Sequence, residues 1–313
     1  MSNSYTNPVG SELLMGDPFV LRADGYYYLF GTTDPDRGFR CYQSANLRDW
    51  QELGFALESG PDDWGQAPFW APEVKAYQGR YYMTYSAHDE IAGRLLTAIA
   101  VSDRPEGSYC NLHAPWFDAG FSAIDSHIAC DPDGTPFLLF SRNGVKDGYS
   151  YGKIYGAPLA ADLSGLNEEP ILLLQADQDW ERIAWESNRC NEGPFVIFKN
   201  GVYYMTYSGN HTFRPGYGIG YATASHPMGP WTKAEDNPIA GTDLEIGYSG
   251  AGHNSIVSSP DGSERFIVYH THENSDQPDN EKRTVNIDRI SIENGRLSIQ
   301  GPTRTPQPLP SGA

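Results

Sequence analysis

The sequence has little cysteine, little positive charge and no long apolar run. Its four cysteines, Cys41, Cys110, Cys130 and Cys190, show no Cys-x-x-Cys spacing, so we expect buried free thiols. No stretch approaches the ~20 apolar residues of a membrane-spanning helix. The N-terminal MSNSYTNPVG has neither a basic start nor an apolar core, which predicts a cytoplasmic protein. A secreted protein whose leader has been removed is the alternative.

Basic residues are outnumbered by acidic ones. Lysine and arginine total 22 against 40 aspartate and glutamate, for a net charge of −18. Nucleic acid requires a basic protein surface, and an anionic membrane attracts one. We therefore expect neither partner, which leaves a neutral or cationic ligand.

Long helical runs of Ala, Leu, Glu and Lys are also missing. The chain is instead rich in aromatic and turn-forming residues, with 20 Tyr, 7 Trp, 33 Gly and 23 Pro. Aromatic residues favour strands, and many glycines and prolines indicate many turns. This composition predicts an all-β fold.

One pattern recurs five times: a short apolar strand, a turn glycine, and an aromatic strand that ends in small polar residues. The turn glycines are Gly25, Gly79, Gly134, Gly201 and Gly262, separated by 54, 55, 67 and 61 residues. Third and fourth strands are expected after most hairpins, for example QELGFAL. Sheets repeated around an axis form a β-propeller. We predict a single five-bladed propeller over residues 1–313, with an extended or frayed tail from about residue 302. A β-sandwich is the alternative.

The starts of the five inner strands carry a set of chemically active side chains. Counting back eight or nine residues from the turn glycines leads to Asp17, Trp70, Asp125, Glu192 and His253. Inner strands line the propeller axis, so these side chains are expected to meet at one mouth of the channel. Folding alone gives no reason to gather carboxylates that repel one another. The set therefore indicates a functional site.

Three carboxylates beside an aromatic ring favour glycoside hydrolysis. One carboxylic acid protonates the leaving oxygen, and a second carboxylate activates water or attacks the sugar directly. The third carboxylate can tune and orient the acid. An indole ring stacked on a sugar face adds apolar contact at low entropic cost.

Five segments resemble, in order, the signatures of glycoside hydrolase family 43. They are GDPFV (16–20), WAPEV (70–74), AIDSHI (123–128), NEGPFV (191–196) and GAGHNSIV (250–257). That family consists of five-bladed propeller enzymes that act on xylosides and arabinofuranosides, and the resemblance covers nearly the whole chain. It implies inversion at the anomeric carbon, with base and acid carboxyls about 6.5–9.5 Å apart.

The resemblance implies a role for each residue that matches a family motif. Asp17 matches the general base, Glu192 the general acid, and Asp125 the residue that tunes and orients this acid. Trp70 matches a wall of the sugar subsite. Arg283, in KRTVNIDRI, resembles an arginine that contacts substrate hydroxyls.

The resemblance also implies a bound cation. His253 matches a channel histidine that many members associate with a cation, often Ca²⁺. Because Ca²⁺ prefers oxygen ligands, we expect any such ion on His253 and water molecules. We expect no metal ligand among His127, His270 and His272, and we interpret Glu73 as structural.

The resulting hypothesis is an exo-acting inverting glycosidase that removes pentose units from short hemicellulose oligosaccharides. A β-D-xylosidase with α-L-arabinofuranosidase activity, acting on xylo- or arabino-oligosaccharides, is implied. An arabinan-cutting enzyme of the same fold and a non-catalytic carbohydrate-binding propeller remain open. A retaining fructan- or sucrose-cutting propeller is disfavoured, because Gly16-Asp17-Pro18-Phe19 replaces the Asn-Asp-Pro-Asn type of nucleophile segment.

Overall fold

The computed structural model describes residues 3–10, 13–275 and 282–313, and it confirms the all-β, five-bladed propeller fold. A short strand, β1 (Ser4–Tyr5), precedes five blades of four strands each. Blade 1 comprises β2 (Gly16–Ala23), β3 (Tyr26–Thr32), β4 (Gly38–Ser44) and β5 (Gln51–Glu58). Blade 2 comprises β6 (Gln66–Tyr77), β7 (Arg80–Asp89), β8 (Arg94–Ser102) and β9 (Cys110–Phe117).

The last three blades follow the same inner-to-outer order. Blade 3 comprises β10 (Ala123–Cys130), β11 (Pro136–Lys146), β12 (Tyr149–Pro158) and β13 (Ile171–Gln175). Blade 4 comprises β14 (Asn188–Lys199), β15 (Val202–Gly209), β16 (Gly218–Ala224) and β17 (Thr232–Lys233). Blade 5 comprises β18 (Gly252–Ser258), β19 (Arg265–His272), β20 (Arg283–Glu293) and β21 (Arg296–Ile299). A final strand, β22 (Gln307–Pro308), follows.

Helical structure within the described ranges is limited to two short 3-10 turns, Asp179–Arg182 and Leu244–Ile246. No helix in the described part of the chain is therefore long and apolar enough to cross a membrane.

The turn glycines permit tight hairpins between the first and second strands of three blades. Asp24-Gly25, Gln78-Gly79 and Asn200-Gly201 each form a two-residue turn in which both residues have positive φ, between 47° and 82°. Such a turn matches the twist of a hairpin, and glycine adopts its second position without strain. The turns lie at one end of the inner strands, so the predicted site residues lie at the other.

Aromatic side chains fill the space between blades. Phe39 of β4 packs edge-on against Tyr85 of β7, with ring centroids 5.6 Å apart, and Phe69 of β6 contacts both rings. Edge-to-face packing of this kind adds to the apolar area that the rings bury. The aromatic excess in the composition thus serves the interfaces between blades.

The C-terminal tail, expected to be extended or frayed, forms a short strand that pairs with the N-terminal one. β22 pairs with β1, joining Ser4 to Pro308 and Tyr5 to Gln307. Thr303 also donates a 2.5 Å hydrogen bond to Oδ1 of the buried Asp288. The tail therefore stabilises the junction where the ring of blades closes.

The prediction of buried thiols holds for two of the four cysteines. Cys41 and Cys190 are buried, Cys130 is half-buried, and Cys110 is exposed; all four are free thiols. Cys110 is exposed because it begins β9, the outer strand of blade 2, which faces solvent on one side.

Candidate active site

Each inner strand has one residue in the left-handed region of backbone conformation, in its first half. These residues are Asp17 (φ 54°), Ala71 (49°), Asp125 (56°), Gly193 (58°) and His253 (42°). At the same place the pairing with the second strand shifts register in every blade. A positive φ strains any residue except glycine, and β-bulges often re-aim side chains beside active sites.

A ring of hydrogen bonds between neighbouring blades holds these five bulges. In each case the backbone N–H of the bulge residue donates to a side chain on the second strand of the preceding blade. The pairs are Ala71 to Thr32 (3.0 Å), Asp125 to Ser86 (3.3 Å), Gly193 to Ser141 (3.2 Å), His253 to Ser208 (2.7 Å) and Asp17 to His270 (3.1 Å). Four acceptors are hydroxyl oxygens, and the one that closes the ring is an imidazole nitrogen.

This ring corrects the equivalence inferred by counting from the turn glycines. In blades 2 and 4, whose hairpins have two-residue turns, the bulge lies eight residues before the turn glycine, at Ala71 and Gly193. Counting nine in those blades leads to Trp70 and Glu192, one residue too early. The count of nine is correct for Asp125 and His253, because the hairpin loops of blades 3 and 5 are longer.

Asp17 is held by four side chains of the propeller. Nη1 of Arg283 donates to its Oδ1 at 2.9 Å, and Oγ1 of Thr32 donates to Oδ2 at 2.6 Å. Nδ1 of His253 lies 3.3 Å and Nδ1 of His270 3.7 Å from Oδ1. Burial alone would raise the pKa of Asp17, but Arg283, the two histidines and Thr32 outweigh it and hold this pKa well below its usual range. Asp17 is therefore ionised at any ordinary pH.

Arg283 reaches Asp17 because Gly16 has no side chain. A Cβ on Gly16 would lie 2.0 Å from the central carbon of the Arg283 guanidinium. The arginine therefore crosses directly over the backbone that precedes Asp17. In the structure its partner is the carboxylate of Asp17, and a contact with substrate hydroxyls stays a prediction.

Asp125 lies in the opposite electrostatic environment. It is 4% exposed, and the backbone N–H of Gly193 donates to its Oδ2 at 3.2 Å. Burial, together with the charges of Glu192 and Asp17, raises the pKa of Asp125 to about 7, although His253 and Ser141 act against this rise. At a pH between the two pKa values, Asp125 carries a proton while Asp17 is ionised and can accept one.

Glu192 accepts hydrogen bonds at both carboxyl oxygens. The Tyr217 hydroxyl donates to Oε1 at 2.8 Å, and the Cys190 thiol donates to Oε2 at 3.2 Å. The Tyr217 ring in turn stacks on His270, with centroids 5.7 Å apart and 9° between the planes. Because His270 bonds Asp17, this stack connects the surroundings of Glu192 to those of Asp17.

His253 lies among the three carboxylates. A Cβ on Gly193 would lie 3.2 Å from its ring, so this glycine permits a close approach. Burial lowers the pKa of His253, but the charges of Asp17, Asp125 and Glu192 outweigh this effect and raise the pKa above its usual value. A cationic imidazole here offsets the repulsion between the acids.

An ion on His253 and water molecules stays a prediction, because no set of side-chain ligands accompanies this histidine in the described residues. Ca²⁺ takes about 6–8 oxygen ligands, and no group of three or more His, Cys, Asp or Glu side chains in the described part of the chain is arranged to hold a metal. Nδ1 of His253 faces Asp17 instead.

Trp70 and Glu73 both lie on β6, the inner strand of blade 2. Trp70 is half-buried beside the bulge of blade 2. Glu73 accepts a 2.7 Å hydrogen bond from Nδ1 of His127, whose Nε2 accepts from the Val196 N–H. This buried pair is structural. His270 lies in the site itself, since its Nδ1 accepts from the Asp17 N–H.

Sequence reasoning missed four residues that contact the acids: Thr32, Ser141, Tyr217 and Cys190. Thr32 and Ser141 belong to the small polar residues that end the second strands, so the repeat itself contained their signal. For Tyr217 the only indication is indirect. Gly252 leaves room for the Tyr217 ring, because a Cβ on this glycine would lie 1.8 Å from it. Nothing in the sequence distinguishes Cys190.

Comparisons with known proteins identify relatives over most of the chain. The model for glycosyl hydrolases family 43 matches residues 5–297. The crystal structure of a thermostable family-43 glycoside hydrolase is 47% identical, with a TM-score of 0.94 and coverage of 99% of this chain and 100% of that one. An endo-1,4-beta-xylanase from Bacteroides thetaiotaomicron is 33% identical, with a TM-score of 0.82 and coverage of 96% and 98%.

A curated relative is longer than this chain. The alpha-L-arabinofuranosidase 43 of Humicola insolens is 28% identical over 317 residues, which cover 94% of this chain and 60% of that protein. This chain therefore spans about three fifths of that relative's length.

Proposed function

The chain belongs to glycosyl hydrolases family 43, and on that premise we propose that it is an inverting exo-glycosidase that releases pentose units from short hemicellulose oligosaccharides. The observation that supports this best is the contrast between two carboxyls of one site. Asp17 has a pKa held below its usual range, whereas that of Asp125 is raised to about 7. The low pKa of Asp17 suits a general base, and a proton on Asp125 reduces the negative charge around Glu192, to which the family resemblance gives the role of acid.

In this proposal Asp17 is the general base. Its ionised carboxylate accepts a proton from a water molecule, whose oxygen attacks the anomeric carbon. The bonds from Thr32 and Arg283 fix the orientation of the carboxylate. Because the carboxylate is already held in one orientation, less entropy is lost on reaching the transition state, and the activation free energy is lower.

Glu192 is the proposed general acid. As the glycosidic C–O bond breaks, the carboxylic acid donates its proton to the leaving oxygen, which departs as an alcohol. The hydrogen bonds to Tyr217 and Cys190 set the position of the carboxyl group. Asp125 orients this acid indirectly, since it binds the backbone N–H of Gly193, the next residue.

The proposed substrate class is arabino- and xylo-oligosaccharides. One relative is an alpha-L-arabinofuranosidase, and another is an endo-1,4-beta-xylanase. We propose activity on β-D-xylosides, α-L-arabinofuranosides or both, with Trp70 and Arg283 in the pocket of the released sugar. An arabinan-cutting activity is the second candidate.

The test compares Glu192→Gln with the exposed control Glu186→Gln on two kinds of pentoside. We expect Glu192→Gln to lower kcat/KM by about 10²–10⁴-fold on disaccharides. The loss should be much smaller on dinitrophenyl pentosides, whose leaving group needs little protonation. Equal losses on both substrates would remove Glu192 as the acid. NMR of the first-formed product should show inverted configuration at the anomeric carbon. A wild-type enzyme that hydrolyses no pentoside would overturn the proposed function.

A further inference from the structure

A buried ion pair contacts β14, the strand that carries Glu192. Glu181 lies in the 3-10 turn between blades 3 and 4, and Lys233 lies on β17, the outer strand of blade 4. Nζ of Lys233 donates to Oε1 of Glu181 at 2.7 Å and to Oε2 at 2.8 Å. The two side chains are 6% and 0% exposed. Neither residue has a role in the site described above.

Asn191 connects this ion pair to Glu192. Its Oδ1 accepts from Nζ of Lys233 at 2.9 Å, and its Nδ2 donates to Oε1 of Glu181 at 3.0 Å. Nδ2 also donates to the carbonyl oxygen of Cys190 at 3.0 Å. Asn191 is completely buried. Because it directly precedes Glu192 in the chain, its fixed side chain limits the movement of the backbone from which Glu192 projects.

Glu192 is therefore held from both sides along the chain. On its C-terminal side, the N–H of Gly193 donates to Oδ2 of Asp125 and to Oγ of Ser141, both at 3.2 Å. On its N-terminal side, Asn191 is held by the ion pair. These two supports come from different parts of the propeller, since Asp125 lies on an inner strand and the ion pair joins a turn to an outer strand. The proposed acid thus has a second support besides Asp125.

The 3-10 turn that carries Glu181 is itself anchored on blade 4. The Trp180 ring lies over β15 and β16, because a Cβ on Gly209 would lie 2.6 Å, and one on Gly220 2.8 Å, from its atoms. The hydroxyl of Tyr207 on β15 donates to Oε1 of Glu181 at 2.9 Å. The carboxylate of Glu181 is therefore a fixed point from which Asn191 can be held.

Stability alone is a weak reason for an ion pair in this place. The cost of removing two charges from water offsets much of their attraction, and apolar side chains of similar volume often stabilise a protein as well or better. A buried polar network whose members all have partners does, however, make its surroundings rigid. Rigidity is valuable beside a general acid, because a displacement of about 1 Å can cost about 10²-fold in rate.

We propose that the Glu181–Lys233 ion pair positions Glu192 for proton donation, through Asn191. The two charged residues are positioning residues, since they act through Asn191 and not on the substrate. This inference rests on the proposed function, because it takes Glu192 as the acid. It follows that loss of the pair impairs protonation of the leaving oxygen and leaves the activation of water by Asp17 largely intact.

The test removes both charges together, so that neither is left buried without a partner. The variant Glu181→Gln/Lys233→Met is compared with the wild type on arabinobiose and xylobiose and on dinitrophenyl pentosides. We expect kcat/KM on the disaccharides to fall about tenfold or more. On the dinitrophenyl pentosides, whose leaving group needs little protonation, we expect almost no change.

A second ion pair provides the matched control. Nε of Arg289 lies 2.7 Å from Oε1 of Glu264 at blade 5, outside the site described above. The variant Glu264→Gln/Arg289→Met removes these two charges in the same way. It should leave the ratio of kcat/KM on disaccharides to that on dinitrophenyl pentosides unchanged.

Asn191→Ala is the second variant, in case the double variant does not fold. It removes the connection to Glu192, keeps the ion pair and should show the same selective loss on disaccharides. Equal losses on both kinds of substrate, or an unchanged ratio in the folded variants, would overturn the positioning role.

Glu192→Gln on the same substrates separates this inference from the proposed function. A selective loss on disaccharides in Glu192→Gln, without one in the variants of the ion pair and of Asn191, would overturn the inference alone. Equal losses in Glu192→Gln would remove the acid on which both depend. A wild-type enzyme that hydrolyses neither kind of substrate would overturn the proposed function.

Discussion

Nδ1 of His270 accepts a 3.1 Å hydrogen bond from the backbone N–H of Asp17. The other four blade junctions use a serine or threonine hydroxyl for the same purpose. Nδ1 can accept only while it carries no proton. Burial and the neighbouring Arg283 lower the pKa of His270 well below its usual value, so the imidazole stays neutral and the bond persists. At the last junction of the ring, His270 therefore lies against both the strained backbone of Asp17 and its side chain.

Removing this acceptor should destabilise the protein. His270→Leu leaves the buried Asp17 N–H without a partner, at a cost of about 1–3 kcal/mol. His270→Asn offers an amide oxygen close to the position of Nδ1 and should retain part of that stability. Urea unfolding of both variants measures the difference. Equal stability of the Leu and Asn variants would show that the hydrogen bond is unimportant.

A single added methyl group at Gly16 should impair catalysis. The Cβ of Gly16→Ala would lie 2.0 Å from the Arg283 guanidinium carbon, so the arginine must move away from Asp17. Displacements of about 1 Å can cost about 10²-fold in rate, and we expect kcat/KM to fall by about that factor. Gly165→Ala is the matched control, because no atom lies within 4 Å of its added Cβ. Similar kinetics for the two variants would contradict the assigned role of Gly16.

The raised pKa of Asp125 should appear in the pH dependence of stability. Its pKa is about 7 in the folded protein and about 3.9 in an unfolded chain, so the folded state holds a proton that the unfolded state releases. Stability from this group is therefore present at low pH and is lost as pH rises from about 4 to about 7. Asp125→Asn, which cannot ionise, should become progressively more stable than the wild type over that range.

Asp125→Asn removes one of several groups whose titration weakens the fold as pH rises. Asp288, with a pKa raised to about 6, and His253 also weaken the fold as pH rises. Melting temperatures of both proteins at each pH cancel the contribution of Asp288, whereas the variant also removes the Asp125 charge that helps to raise the pKa of His253. A constant difference between variant and wild type from pH 4 to pH 8 would show that Asp125 does not titrate in this way.

Truncation after Gly301 should destabilise the propeller. It removes β22, the Thr303 bonds to Asp288 and the contact of Leu309 with the core that includes Tyr5 and Val9. We expect a loss of about 2–5 kcal/mol from these contacts together, measured by chemical unfolding. Removal of residues 312–313 alone, which are exposed, is the control. Equal stability of the two truncations would favour the frayed tail.

Local sequence patterns were sufficient for the architecture. The turn glycines and the alternating aromatic strands depend on neighbouring residues only, so the hairpins and their number could be predicted. The same patterns located Asp17, Asp125 and Glu192 at the starts of inner strands. Their convergence followed from the geometry of a propeller.

What the sequence alone determined is therefore the set of hairpins and the acids that begin them, because turns and strand periodicity are local properties. The tertiary structure decided which residues are equivalent, since Ala71 and Gly193, and not Trp70 and Glu192, occupy the bulges. It also decided the partners: His270 and Arg283 meet Asp17 across more than 250 residues of chain. Burial and charge at those contacts give Asp17 and Asp125 opposite pKa shifts, and no local pattern encodes an environment built from distant segments.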